Sequence, residues 1–196
     1  MILLRDDARI GIEICNKDLY HQGTAIKAVL FDMDGVILDT EKLYTRFWKE
    51  AAQSLGYPMT HEMALGMRSL SREAGERQLK EYLGETVDYQ QVRNKRIEMM
   101  TAFINENGVE LKHGIHTLLK CLKENELRTS IATSSPLDRT KEYLSQVGLV
   151  DVFDELVSGH MVDHGKPAPD IYIYAAENLG LRPEECLVLE DSPTGL

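Results

Sequence analysis

Short apolar runs alternate with longer periodic segments along much of the chain. The runs at 28–31 and 186–189 have the length and composition of strands that are buried on both faces. Residues 129–133 and the pair Leu156-Val157 predict two more strands, and helical patterns separate the later strands from one another. Strands joined by helices form right-handed crossovers in a parallel sheet. The chain is therefore predicted to contain an α/β core built on a parallel sheet.

A different pattern fills residues 41–112, where no strand is predicted. Apolar residues recur every four positions from Leu43 to Leu55, which is the spacing of one helix face. Residues 71–83 and 89–105 carry two further helical patterns whose other faces are rich in charge. We predict a self-contained helical unit, inserted into the α/β core.

The α/β core is assigned to residues 26–40 and 113–196, and residues 1–25 to an N-terminal extension. Apolar residues alternate with other types from Ile10 to Ile14, which suits a short strand. An added edge strand and a loose leader both fit this extension.

The composition narrows the choice of partners. Of the 196 residues, 43% are hydrophobic and 28% are charged, and the formal net charge is -10. The electrostatic field of this negative charge repels polyanions, so neither nucleic acid nor an anionic membrane is expected as a partner. No apolar run approaches the roughly 18 residues that a membrane span needs. We expect a monomer that binds a small anionic ligand through a local cluster of cationic and backbone N–H groups.

The cysteines and the first residues bear on location. Cys15, Cys121 and Cys186 are far apart and match no metal-binding spacing. An odd, scattered set is typical of reduced thiols in a cytosolic protein. The apolar residues Met1 to Leu4 are followed at once by charges, so the long apolar core of a signal peptide is missing. Both observations favour the cytoplasm.

Two acids, Asp32 and Asp34, directly follow the first predicted core strand. Carboxylates at this spacing next to Gly35 suit a hard cation with oxygen ligands, such as Mg²⁺. A calcium loop of the EF-hand type would need glycine at its sixth position and glutamate at its twelfth, where this chain has Ile37 and Leu43. We discard the calcium loop. For this segment taken alone, a simple solvated turn remains an alternative.

Three later segments place polar residues at strand ends or in a stiffened loop. Thr133, Ser134 and Ser135 can bind phosphate through hydroxyls and backbone N–H groups, or they can simply cap a helix with Ser135 ahead of Pro136. Lys166 lies in a loop stiffened by prolines, where it could bring two anions together or stay exposed.

The last predicted strand is followed by Glu190 and Asp191. Asp191 would face the same crevice as Asp32 if the two strands are neighbours, and it would then complete an oxygen cage for a metal. A charged turn is the alternative.

In this order, the four segments resemble the signatures of the haloacid dehalogenase superfamily, in the branch that contains β-phosphoglucomutase and many small phosphatases. The resemblance covers residues 26–196. It implies a Rossmann-like core with an inserted α-helical cap at 41–112. The motifs that carry it are Asp32-Met33-Asp34-Gly35-Val36, Thr133-Ser134-Ser135, Lys166-Pro167 and Glu190-Asp191-Ser192-Pro193-Thr194-Gly195.

The resemblance implies a role for each matching residue. Asp32 would attack phosphorus and form an aspartyl-phosphate, while Asp34 would protonate the leaving alcohol and later activate water. Mg²⁺ would be held by Asp32, the Asp34 carbonyl and Asp191. The phosphoryl oxygens would be held by Thr133, Ser134 and Lys166.

In the cap, the resemblance places substrate recognition in the loop that contains Gly66 and Arg68. A polar connection between helices is the alternative for that loop. The cap as a whole would close over the substrate and exclude water.

Two departures from the family pattern affect the expected function. Tyr44 stands where β-phosphoglucomutase has a histidine, four residues beyond the pair Asp39-Thr40, which favours a phosphatase over a mutase. The chain stops at Leu196, whereas family members continue with a helix, a strand and a loop. We therefore expect the strand at 186–189 to have an unpaired edge.

The sequence thus predicts a Mg²⁺-dependent phosphatase for a small phosphomonoester, such as a sugar phosphate or nucleotide. A phosphosugar mutase and an inactive fragment are the alternatives.

Overall fold

The computed structural model divides the chain into two compact units, Met1–Leu38 with Glu110–Leu196, and Asp39–Val109. The second unit differs by a few residues at each end from the segment that the sequence assigned to a cap. The residues that the structure describes are 2–4, 20–21, 23–68, 70, 72–192 and 195.

The first unit contains a five-stranded parallel sheet with the strand order β1-β7-β4-β5-β6. A separate two-stranded antiparallel ribbon is formed by β2 and β3. The strands are β1 Ile2–Leu4, β2 Tyr20–His21, β3 Thr24–Ala25, β4 Ala28–Phe31, β5 Arg128–Thr133, β6 Glu155–Ser158 and β7 Cys186–Leu189. The four strands predicted from the apolar runs are confirmed, as is the parallel sheet.

The helices follow the predicted alternation, with one short helix added between the first two of the helical unit. They are α1 Glu41–Ser54, α2 His61–Gly66, α3 Arg72–Leu83, α4 Tyr89–Asn107, α5 Ile115–Glu124, α6 Leu137–Gln146 and α7 Asp170–Asn178. The first four belong to the second unit and the last three to the first.

The far edge of β7 is covered, so the predicted unpaired edge is wrong. Residues Ile2 to Leu4 pair with it in parallel, and Leu3 is in register with Val188. The added edge strand is therefore the alternative that holds for residues 2–4. The strand predicted at Ile10–Ile14 lies outside the described residues.

The core of the sheet is apolar because β4 and β7 are central strands with both faces covered. All four residues of β4 are buried. On one face, α7 packs Ile171, Tyr172 and Ala175 against β4, β5 and β7 in a single buried cluster. This packing holds the start of α7 close to the carboxyl ends of the strands, which decides where its side chains can act.

Two local predictions in this unit need correction. Ser135 does not cap α6: the N-cap is Pro136, whose extended backbone precedes the first helical residue, Leu137. Cys121 is disulfide-bonded and is therefore not the reduced thiol that the scattered spacing of the cysteines predicted. Cys186 is free and buried.

The second unit has its own apolar core. Two of its helices, α2 and α4, start at capped positions: the side chain of Thr60 accepts from the Met63 N–H, and that of Asp88 accepts from the Gln91 N–H. Behind these caps, Trp48 and Leu79 belong to a buried cluster that links α1 to α4.

One cation is buried in this second unit. The guanidinium of Arg96 lies over the rings of Tyr44 and Trp48, with its Cζ atom 4.8 and 5.0 Å from the two ring centroids. Its Nε atom is buried without a hydrogen-bond partner among the described residues. Burial lowers the pKa of Arg96, and the two ring faces attract its charge.

Among the described residues, none of the helices combines the length and apolarity required to cross a membrane.

Candidate active site

The ends of β4 and β7 bring Asp32 and Glu190 together. The two strands are neighbours with Phe31 in register with Leu189, and the Asp32 N–H donates to the Leu189 carbonyl at 2.9 Å. Each acid is the first residue beyond its strand, and both side chains are buried. The condition set by the sequence, that these two strands be adjacent, is met.

Lys166 joins these two acids. Its Nζ donates to Asp32 Oδ1 at 2.6 Å and to Glu190 Oε2 at 2.7 Å, and only 8% of the side chain is exposed. Burial by itself lowers the pKa of Lys166, but the Asp32 and Glu190 carboxylates more than offset this, so the net shift is upward. The ammonium is therefore charged at neutral pH.

The electrostatics of the two acids differ. Burial raises the pKa of Asp32 to about 7, with Lys166 opposing the shift and the charges of Glu190 and Asp34 adding to it. Burial acts in the same direction on Glu190, but the charge of Lys166, together with hydrogen bonds from Lys166 and Tyr172, holds the pKa below its ordinary value. One ammonium is shared between two buried carboxylates, and Glu190 has the larger share of donors.

Three carboxylates form a cluster that suits a hard cation. Oxygen atoms of Asp32, Glu190 and Asp191 all lie within 4.8 Å of one another. Carboxylate oxygens at a strand-end crevice are ligands that Mg²⁺ accepts, so this donor set fits the metal expected from the sequence. Glu190 joins Asp32 and Asp191 in this cluster, although the sequence analysis had not placed it among the metal ligands.

The loop after β4 packs closely against Asp191. Gly35 has φ +85°, and its N–H donates to the Leu38 carbonyl at 2.8 Å in a tight turn. A Cβ at this position would overlap the Asp191 carboxylate. Glycine is thus required twice, for the backbone conformation and for the close approach.

Asp34 lies at the start of this turn, with its side chain near Ser135. The Ser135 Oγ is 3.5 Å from Asp34 Oδ2, a long hydrogen bond between residues 101 positions apart. The Asp34 side chain is partly exposed, unlike that of Asp32. A partly exposed carboxyl beside a buried one can exchange protons with solvent.

The segment after β5 presents backbone and hydroxyl groups. Thr133 is buried, and its Oγ1 accepts from the Ser135 N–H at 3.1 Å, while Ser134 is exposed. Ser158 Oγ donates to the Ser135 carbonyl at 2.7 Å and holds the turn against β6. The structure therefore places Thr133 at a strand end beside β4, and its hydroxyl still carries a proton that it can donate.

The residues predicted to recognise substrate, Gly66 and Arg68, both belong to the second unit. Gly66 ends α2, and a side chain there would overlap the Tyr82 hydroxyl. Arg68 forms an ion pair with Glu41 of the same unit. Arg68 is about one-third exposed, so its charge is partly available to a ligand.

Sequence reasoning missed Tyr172, and it treated Glu190 only as part of a charged strand end. Glu190 directly follows an apolar strand and precedes Asp191, so the strand-end rule could have selected both acids. Tyr172 gave no such signal, because an aromatic residue on a helix face is ordinarily core. Its hydroxyl donates to Glu190 Oε2 at 2.5 Å.

Acids, a buried lysine and hydroxyl groups lie at the carboxyl end of a parallel sheet, where α/β proteins bind their ligands. The family model of the haloacid dehalogenase-like hydrolases matches residues 26–196. The chain belongs to this family.

Among its relatives, the chain is similar to a phosphorylated carbohydrates phosphatase of Thermotoga maritima, with 33% identity over 171 residues that cover 87% of this chain and 79% of the relative. It is also similar to β-phosphoglucomutase of Bacillus subtilis, with 28% identity over 87% of this chain and 77% of the relative. Among solved structures, CbbY of Rhodobacter sphaeroides in complex with phosphate superposes with a TM-score of 0.68, at 27% identity, over 87% of this chain and 80% of that one. The expected superfamily and branch are confirmed.

Proposed function

We propose that this protein is a Mg²⁺-dependent phosphatase that hydrolyses a small phosphomonoester through an aspartyl-phosphate on Asp32. The observation that carries the proposal is the contact of Lys166 with Asp32. A carboxylate that attacks a phosphate must approach another anion, and at about 4 Å two unit charges repel by roughly 4 kcal/mol at an effective dielectric of 20. A buried ammonium 2.6 Å from Asp32 Oδ1 offsets that repulsion.

The proposed reaction has two steps. Asp32 attacks phosphorus and the P–O bond to the alcohol breaks, while Asp34 gives its proton to the departing oxygen. Water then attacks the same phosphorus, Asp34 takes a proton from it, and the bond to Asp32 breaks to release phosphate. Lys166 and the hydroxyl and N–H groups of Thr133 and Ser134 hold the phosphoryl oxygens in both steps.

The metal is assigned to the acidic cluster. Asp32 and Asp191 would hold Mg²⁺, together with the Asp34 carbonyl that the family resemblance implies, and Glu190 is close enough to contribute. When bound, Mg²⁺ neutralises charge on the transferring phosphoryl group. The fit of the three carboxylates within 4.8 Å supports this assignment.

The residue at position 44 favours hydrolysis over mutase activity. Tyr44 packs its ring under the guanidinium of Arg96 within the second unit. Unlike a histidine, a tyrosine side chain does not gain and lose a proton near neutral pH. The names of the relatives, a carbohydrate phosphatase and a mutase, point to a sugar phosphate as the substrate class.

The second unit is proposed to act as the cap, with Gly66 and Arg68 in substrate recognition. Because Arg68 is already paired with Glu41, an anionic substrate would compete with that glutamate. Glu41→Gln should then lower KM and Arg68→Gln should raise it. If both variants leave KM unchanged, these residues only connect helices. We further propose that the protein acts as a monomer in the cytoplasm, a location that reduced thiols no longer support because Cys121 is disulfide-bonded.

The direct test is phosphate release from a panel of sugar phosphates and nucleotides with Mg²⁺, in parallel with Asp32→Asn and the exposed control Asp151→Asn. We expect release by the wild type and the control, and none by Asp32→Asn. Product analysis by ³¹P NMR separates the alternatives, because an isomerised sugar phosphate without free phosphate would establish a mutase. Activity that survives in Asp32→Asn would refute the proposed mechanism.

A further inference from the structure

Tyr172 contacts the site through both its hydroxyl and its ring. The hydroxyl donates to Glu190 Oε2 at 2.5 Å, and the ring centroid lies 4.9 Å from Lys166 Nζ. The residue is 2% exposed and packs in the cluster between α7 and the sheet. Neither contact is needed to fill the core, since a phenylalanine would occupy the same space.

The hydrogen bonds of Glu190 leave little freedom for its carboxylate. Oε2 accepts from both Tyr172 and Lys166, while Oε1 accepts from the Ser192 N–H at 3.1 Å. On the remaining side, Gly195 lies so close that a Cβ there would overlap the carboxylate. A buried carboxylate has about four acceptor sites, so three donors nearly saturate it.

The neutrality of the Tyr172 hydroxyl matters as much as its position. The site holds three acids close together, Asp32, Glu190 and Asp191. Lys166 donates hydrogen bonds to the first two. A second cation beside Glu190 would compensate the acids but would also repel a divalent metal. A neutral donor compensates part of the Glu190 charge without that repulsion. A tyrosine hydroxyl has an ordinary pKa of about 10, so it is neutral and can donate at neutral pH.

We propose that Tyr172 is a positioning residue, whose hydroxyl holds Glu190 Oε2 in place and moderates the attraction of Glu190 for Lys166 and for the metal. This inference rests on the function proposed above. With the hydroxyl present, Lys166 is shared between Asp32 and Glu190 and can shift onto a phosphoryl oxygen. Without it, Glu190 has the same charge and one donor fewer, so it attracts both Lys166 and a divalent cation more strongly.

The matched variants are Tyr172→Phe, which keeps the ring and removes the donor, and Tyr174→Phe, which makes the same chemical change two residues along the same helix. Mg²⁺ binding to the full chain is measured by titration calorimetry, and kcat and KM are measured with the best ester from the panel. We expect Tyr172→Phe to bind Mg²⁺ about three- to tenfold more tightly and to lose about tenfold in kcat with little change in KM, the size of one charge-assisted hydrogen bond. Tyr174→Phe should match the wild type in all three quantities.

A tyrosine that serves only the core gives a different result. Unchanged or weaker Mg²⁺ binding by Tyr172→Phe would overturn the proposal. If Tyr172→Phe does not fold, the wild type decides: we expect a slowly exchanging, strongly deshielded tyrosine hydroxyl proton in its NMR spectrum that shifts on addition of Mg²⁺. A hydroxyl proton that exchanges as fast as that of a surface tyrosine contradicts it. If the wild type hydrolyses no ester, the proposed function fails, but the Mg²⁺ titration still reports on Tyr172.

Discussion

Lys166 and Asp32 are 134 residues apart in the chain, yet the Nζ of one donates to the Oδ1 of the other at 2.6 Å. The contact forms because β4 ends at Asp32 in the centre of the sheet, and the loop before α7 returns to that same edge. It places a permanent cation on the acid that is proposed to attack phosphate.

Lys166→Met should lower both the rate of phosphate release and the free energy of unfolding. Phosphate release should fall about 100- to 1000-fold, because a donor to the phosphoryl oxygens is lost. Breaking a buried ion pair by removing one partner costs about 3–5 kcal/mol in the free energy of unfolding. This loss should be greater at pH 8 than at pH 6, because protonation of Asp32 relieves the unpaired charge. Urea unfolding at both pH values checks it against the exposed control Lys120→Met, and equal losses in the two variants would contradict the role of Lys166.

Asp34→Asn should separate leaving-group protonation from attack. Loss of a general acid lowers the rate about 100- to 10,000-fold for an alkyl phosphate. The loss should be much smaller for p-nitrophenyl phosphate, whose leaving group needs no proton. The ratio of the two kcat/KM losses is the measurement. Ser135→Ala, which removes only the 3.5 Å contact to Asp34, should cost no more than about threefold. Equal losses with both esters would assign Asp34 another role.

Gly35→Ala should weaken metal binding more than its backbone strain explains. Gly35 and Gly114 have nearly equal positive φ angles, +85° and +88°, but only at Gly35 would a Cβ overlap the Asp191 carboxylate. Each variant should lose roughly 1–3 kcal/mol in the free energy of unfolding from the strained backbone. Mg²⁺ affinity, measured by calorimetry, should fall in Gly35→Ala and stay unchanged in Gly114→Ala. Equal affinity in the two variants would remove Asp191 from the metal site.

Protonation of Glu185 in acid should lower the free energy of unfolding. The hydrogen bond from Lys27, at 2.7 Å, together with donors from Arg182, lowers the pKa of Glu185 from 4.5 to about 2. A depressed folded pKa adds stability that is present above the unfolded pKa and is lost as the pH falls through the folded one. The free energy of unfolding should therefore fall between pH 4.5 and 2, and less steeply in Glu185→Gln. Urea titrations at stepped pH test this, with the exposed Glu184→Gln as the control. A slope in Glu185→Gln as steep as in the wild type would refute it.

The sequence predicted the parts of the fold that depend on local pattern. The apolar run at 28–31 predicted the central strand β4, and the four-residue period from Leu43 predicted α1. The site followed from a general property of parallel sheets: polar residues that follow different strands meet at one edge, which brought Asp32 and Asp191 together.

The features that were missed depend on contacts between distant segments. Pairing of residues 2–4 with β7 reflects an available edge that no local pattern describes. Ser135 has the composition of a cap, but its N–H and carbonyl are engaged by Thr133 and Ser158, and the helix starts later. Tyr172 looks like a core aromatic until the position of Glu190 shows what its hydroxyl meets.

The most direct test of the central claim is acid-quenched trapping of a phosphoenzyme. The protein with Mg²⁺ is mixed with a ³²P-labelled substrate from the panel, quenched in acid within the first turnover and digested for peptide mapping. The account predicts a hydroxylamine-labile label on the peptide that contains Asp32, present in the wild type and in Asp151→Asn and absent in Asp32→Asn. Substrate turnover with no label on that peptide, or a label that persists in Asp32→Asn, would contradict it.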